Sequence, residues 1–143
     1  MKPEVDQILG LSSGQLMSQI APLLPNSFAV GGASLLGIMM TLAAQEYERG
    51  ADIRAAENAD MRSLFRDAAA QIADAELKAM VSTAAATQDR SLKISALNAE
   101  NIELRRVLIR LQAYAEMKGL RDIERRIWDV LKASADRRIL RLG

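Results

Sequence analysis

The chain has no cysteine and no histidine. Without thiols there is no disulfide, no thiolate nucleophile and no cysteine zinc site. Without imidazole the commonest general base and the commonest metal ligand are gone. Aromatic residues make up only 3% of the chain. The three prolines stand at Pro3, Pro22 and Pro25, so no proline interrupts a helix beyond residue 25. Ala, Leu, Arg, Met and Glu abound while β-branched residues are few, which favours helix throughout. At 143 residues the chain fits one helical domain, 1–143, large enough to bury a core without a staple.

Net charge is +1, unevenly spread. Residues 1–89 hold six basic and eleven acidic side chains, a balance of −5; residues 90–143 hold thirteen and seven, a balance of +6. The chain therefore subdivides into an acidic part, 1–89, with an apolar core segment, and a basic helical hairpin, 90–143. Acids interrupt the basic half throughout, so the two parts are expected to attract each other within the fold or between subunits.

No charge occurs from Asn26 to Gln45, in "NSFAVGGASLLGIMMTLAAQ". The segment from Phe28 to Ala44 is marginal for a membrane span and carries Gly31, Gly32, Gly37, Ser34 and Thr41. Neither a basic cluster nor an aromatic belt flanks it. The leader before it is too long and acidic for a cleaved signal. The downstream amphipathic helices need a core, so the reading is a buried central helix, about 27–48. A membrane anchor at 28–44 is the alternative. Ala29, Ala33, Gly37 and Thr41 are spaced four apart, a small-residue face for close helix packing.

Around this segment the pattern predicts five to six helices. "LSSGQL" suggests a short helix over about 13–21, capped by Ser12 or Ser13 and ended by Pro22. Asn26 or Ser27 can cap the central helix, Gly50 is its expected break, and Met61, Leu64, Phe65, Ala68 and Ile72 mark a further helical face. Asp74 and Asp89 are expected caps. Ile94, Leu97, Asn101, Leu104, Leu108, Leu111 and Ala115 form an a/d heptad seam with Asn101 at an a position. Glu100 and Arg105 have g–e spacing for an interhelical ion pair. Gly119 ends that helix, and the partner carries Ile123, Ile127 and Trp128, the last expected as a core or interface anchor. The expected product is an all-α compact helical bundle around the apolar central helix, with a C-terminal antiparallel hairpin of about 91–117 and 120–138. "AENADMRSLF" (56–65) echoes "AENIELRRVL" (99–108), through duplication of a helical hairpin or through a shared helix-favouring alphabet.

Motifs for chemistry are missing. Gly32 and Gly37 lack the lysine and hydroxyl of a phosphate loop. Glu46, Glu48, Asp52, Glu57 and Asp60 sit among Arg49 and Arg54, and no histidine completes a di-metal set. Glu46–Arg49 and Arg54–Glu57 read as solvated i, i+3 pairs, and Asp122–Arg126 as an i, i+4 pair. No catalytic residue, cofactor or metal is expected. Arg121, Arg125, Arg137, Arg138 and Arg141 are candidate contacts for an anionic partner, although interleaved acids and scarce aromatics argue against nucleic acid. The function expected is a non-enzymatic interaction or assembly protein, homo-oligomeric or bound to a helical partner, using Ala29, Ala33, Gly37, Thr41, Asn101, Leu104, Leu108, Leu111 and Trp128 for helix packing. It would be cytoplasmic. The alternatives are a peripheral or single-span membrane protein anchored by 28–44, and a carrier of an apolar ligand lined by Met39, Met40, Met61 and Met80.

Overall fold

Helix-forming composition without internal proline yields an all-α helical bundle. The computed structural model describes residues 3–141, which hold five α-helices and no strand among them. They are α1 (Val5–Gln15), α2 (Ser27–Ala68), α3 (Ala75–Ala86), α4 (Ile94–Lys118) and α5 (Arg121–Arg137). A π-type turn (Leu16–Ile20) and a 3₁₀ turn (Ala21–Leu23) extend α1, and a 3₁₀ turn (Ala69–Gln71) ends α2. The chain forms two compact units: residues up to Gly50 with Leu140 and Arg141, and Ala51–Ile139. The division between them falls at residues 50/51.

The N-terminal unit is a helical hairpin. Its first helix starts at Val5, not near residue 13. Ser12 and Ser13 do not cap it; Ser13 is buried, and its hydroxyl donates to the Gly37 carbonyl (2.7 Å) and meets the Thr41 hydroxyl (2.9 Å). A residue read as a local cap is spent on the neighbouring helix. Asn26 does cap α2, its Oδ1 accepting from the Ala29 N–H at 2.8 Å. Ser13 lies against Gly37 and Thr41, and Met17 lies against Gly37, so the two helices run antiparallel. A side chain at Gly37 would overlap the Met17 side chain, which would have to move aside. At Gly50 the helix does not break: α2 continues through it for 42 residues. The cost of one glycine, about 1 kcal/mol, is small beside the packing on the far side.

The second unit, Ala51–Ile139, is an up-down-up-down four-helix bundle. Its core gathers Met61, Leu64, Phe65, Ala68 and Ile72 of the α2 region with Val81, Leu104, Leu108, Leu111, Ile123 and Ile127. The core therefore lies on the second part of α2, not on residues 27–48. The expected seam is met: Leu97, Asn101, Leu104, Leu108, Leu111 and Ala115 are all buried. The turn to α5 follows from Gly119, at φ 66°. Its N–H reaches the Glu116 carbonyl at 3.3 Å, and Leu120 N–H reaches Ala115 at 2.9 Å, a Schellman closure. Asp74 caps α3 through Leu77 N–H at 2.7 Å. Asp89 caps nothing: α4 begins at Ile94, and the Asp89 carboxylate instead neutralises buried Arg62 at 2.8 Å.

The echo between 56–65 and 99–108 has a structural counterpart. Asn101 Nδ2 donates to Asn58 Oδ1 at 2.9 Å, and these two asparagines hold the same place in the two segments. Arg54 Nε reaches Asn98 at 2.6 Å, and Tyr114 Oη accepts from Ala73 N–H at 3.0 Å. The contacts advance together along both helices, so α2 and α4 run parallel, nearly in register with the echo. The a-position asparagine finds its polar partner within the chain rather than in a second copy.

Candidate functional site

Two features stand apart from ordinary core packing, one in each unit. In the hairpin it is the outer surface. An 18-residue window in α2 has mean hydropathy 1.7, and only 11% of that window is buried. Phe28 is 91% exposed, and Leu35, Leu36 and Met39 are exposed on the same helix. Leu23, at the end where the chain turns, is 82% exposed, and Ile8, Leu11 and Ile20 are exposed on the first arm. A helix that is apolar all round is normally buried; this one is not covered within its unit. No charged residue occurs from Gln7 to Gln45, so both arms share the neutrality that the sequence shows most plainly from residue 26 onward. Hydroxyls turn inward or back on their own helix: Ser18 donates to Gly14 carbonyl (2.7 Å), Ser34 to Val30 (2.9 Å) and Thr41 to Gly37 (3.2 Å). Charge resumes at the open end, with Glu4 and Asp6 on one arm and Glu46, Glu48 and Arg49 on the other.

In the bundle the feature is a buried carboxylate. Glu57 is 2% exposed, not a solvated partner of Arg54. Arg138 grips it from both oxygens, Nε to Oε1 at 2.6 Å and Nη2 to Oε2 at 2.7 Å. Ser134 donates to Oε1 at 2.7 Å, Asn101 to Oε2 at 3.2 Å, and Arg105 approaches Oε2 at 3.5 Å. Burial alone would raise the Glu57 pKa. The hydrogen bonds from Arg138 and Ser134, with the charges of Arg138 and Arg105, outweigh it and lower the pKa from 4.5 to about 2. A carboxylate so firmly ionised is a poor general acid or base near neutrality, where a useful group titrates close to the working pH. The cluster acts as a clamp between α2, α4 and α5. It is extended by Arg137–Asp60 at 2.6 Å and Arg126–Asp67, and by Arg62 and Asn58 converging on Asp89.

The residues expected for helix packing are placed as follows in the two units. Ala33 and Gly37 are buried in the hairpin, Ala29 and Thr41 are half-buried there, and Asn101, Leu104, Leu108 and Leu111 are buried in the bundle. Trp128 is the exception: it is 65% exposed on the outer face of α5, not a core anchor. Glu100 and Arg105 do not pair: Glu100 accepts from Arg90 (2.8 Å), while Arg105 Nε holds Asn101 Oδ1 (2.8 Å). Asp122 pairs with Arg125 at 3.7 Å instead of with Arg126. Of the candidate anion contacts, Arg121 pairs with Glu124, Arg125 with Asp122, Arg137 with Asp60 and Arg138 with Glu57. The Arg141 backbone is held by the Gln45 carboxamide, at 2.9 Å and 2.5 Å. Arg137–Asp60, Arg138–Glu57 and Arg126–Asp67 join the acidic part to the basic part, whereas Arg121–Glu124 and Arg125–Asp122 lie within the basic part. Met39 is exposed on the hairpin; in the bundle Met61 fills the core and Met80 lines a groove between α3 and α4 with Leu104 and Val107. Among the described residues no group of three His, Cys, Asp or Glu side chains is placed to hold a metal. Comparison with known proteins finds no matching family model, curated protein or solved structure.

Proposed function

We propose that this chain is a non-enzymatic, membrane-associated interaction protein, in which the apolar hairpin enters a lipid bilayer and the charged bundle is a helical docking module in water. The observation that carries this reading is the uncovered apolar surface of α2, in a stretch free of charge on both arms of the hairpin. In water that surface is costly, at roughly 25 cal/mol per Å² of apolar area. In a bilayer core it is at home, and the back-bonded hydroxyls satisfy themselves there. The bundle supplies what a docking module needs. It has a rigid clamped interior, and Ile102 and Ile109, seven residues apart, stand exposed on α4 while Trp128 stands exposed on α5.

Flotation with neutral phosphatidylcholine vesicles tests it. The protein is expected to float with the vesicles at both low and high salt, because insertion rather than charge drives it. Leu36→Asp, on the exposed face of α2, is expected to weaken partitioning roughly 100-fold, since an Asp near the centre of a membrane helix costs about 2.5–3.5 kcal/mol. Recovery of the unaltered protein wholly in the aqueous fraction overturns the reading.

One observation favours a second reading. The outer side of the first arm carries exposed Gln15 and Gln19, whereas from Phe28 to Ala43 the exposed residues of α2 are all apolar. Two hairpins joined through their α2 faces would cover the apolar side and leave the glutamines in water. That form predicts a stable homo-oligomer that ignores vesicles and is broken to monomers by Leu36→Asp, as sedimentation would report.

A further inference from the structure

A single apolar helix and an apolar hairpin make opposite demands on where the chain ends up. If only residues 28–44 crossed a bilayer, residues before and after them would lie on opposite sides. The hairpin does not permit that while it stays closed. Ser13 is bonded to the Gly37 carbonyl and to Thr41, and Met17 fills the space that Gly37 leaves open. These contacts lie halfway along both arms, so the arms are joined along their length and not merely near the turn. Opening them would expose the Ser13 hydroxyl, now buried, to hydrocarbon without a partner on the other helix.

We infer that the bilayer receives the hairpin as one body, so that Glu4 and Glu48 lie on the same side of the membrane. This rests on the membrane reading above and goes beyond it by fixing topology. The dimensions agree. The uncharged stretches 7–23 and 27–45 measure about 26 Å and about 28 Å as helices, against a hydrocarbon core of about 30 Å. The turn is uncharged: Leu23, Leu24 and Phe28 stand among Pro22, Pro25, Asn26 and Ser27, so the leading end carries no charge into the membrane. All the charge near the hairpin sits at its open end, with Glu4 and Asp6 on one arm and Glu46, Glu48 and Arg49 on the other. A single-span topology would have to carry Glu4 and Asp6 across; the hairpin carries neither. The first arm, with Gln7, Gln15 and Gln19, is too polar to cross unaided and enters only as the partner of α2.

The native chain has no cysteine, which makes the test clean. Glu4→Cys and Glu48→Cys, made separately, are added to preformed phosphatidylcholine vesicles and treated with a membrane-impermeant maleimide before and after detergent. Both sites are expected to label fully from outside, with no gain on adding detergent. Glu48→Cys labelling at once while Glu4→Cys waits for detergent overturns the same-side topology and leaves the membrane reading standing. Failure of both variants and of the unaltered protein to bind vesicles overturns both. As a second measurement, Ser13→Cys/Thr41→Cys is oxidised in the vesicle-bound state. An intramolecular disulfide in most molecules supports the closed hairpin, and absence of any cross-link overturns it.

Discussion

Glu57→Ala lowers the stability of the bundle by about 3 kcal/mol, and the loss shrinks as the solution is acidified. Removing one partner of a buried ion pair costs about 3–5 kcal/mol, because the other charge is left stranded. Here the stranded groups are Arg138 and Arg105, both partly open to water, so rehydration brings the cost to the lower end. The acid dependence follows from the pKa. Glu57 titrates near 4.5 unfolded and about 2 folded, so folding favours its ionised form. Its contribution is fully present above about pH 4.5 and is lost as pH falls towards 2. At full strength the difference is on the order of 3 kcal/mol. Urea unfolding followed between pH 2 and 7 checks this. The gap between the unaltered protein and Glu57→Ala is constant above pH 5 and closes below. A gap that ignores pH would mean that the carboxylate is not the clamp. Glu57→Gln keeps the shape but turns an amide N–H towards donors, and behaves nearly as badly as alanine.

The two phenylalanines make the second large contrast. Phe65 is 0% exposed at the centre of the bundle, and Phe28 is almost wholly exposed on the hairpin. Phe65→Ala is expected to cost about 3–5 kcal/mol, the transfer term plus the cavity left among rigid neighbours. For a bundle of this size that lowers the melting temperature by more than 10 °C. Phe28→Ala leaves the melting temperature in vesicle-free solution within a degree or two. It weakens vesicle partitioning about 10- to 100-fold, the equivalent of about 1.5–3 kcal/mol for a buried phenylalanine. Calorimetry and flotation on the same pair of variants separate the two roles. Equal effects of both substitutions on melting would show that Phe28 is covered by protein.

The sequence pattern points to burial for both residues, Phe28 at the start of an uncharged run and Phe65 on the apolar face of a charged one. What was legible were features written in short-range spacing. The Gly119 turn and the Asn26 and Asp74 caps each need only a few neighbouring residues, the α4 seam repeats steps of three and four, and each is present. What was not legible depended on partners far along the chain. Glu57 stands three residues from Arg54, which suits a surface pair, yet it is claimed by Arg138, 81 residues away. Asp89 looks like a cap because helix begins soon after, but buried Arg62 needs an anion more than α4 needs a first-turn acceptor. Ser12 and Ser13 imitate a helix start, while the true start at Val5 has Glu4 before it and no side-chain cap to betray it. Gly50 imitates a break, yet helical packing resumes at Ile53 and carries the backbone through. The apolar run of α2 suggests a core, because the sequence does not say which of its two halves the other helices choose.

The amide pair between Asn58 and Asn101 makes the alignment of α2 with α4 an all-or-none matter. Sliding one helix past the other by a single turn would part the two carboxamides. It would also take Asn101 away from Glu57 and Asn58 away from Asp89, so one offset serves all three contacts.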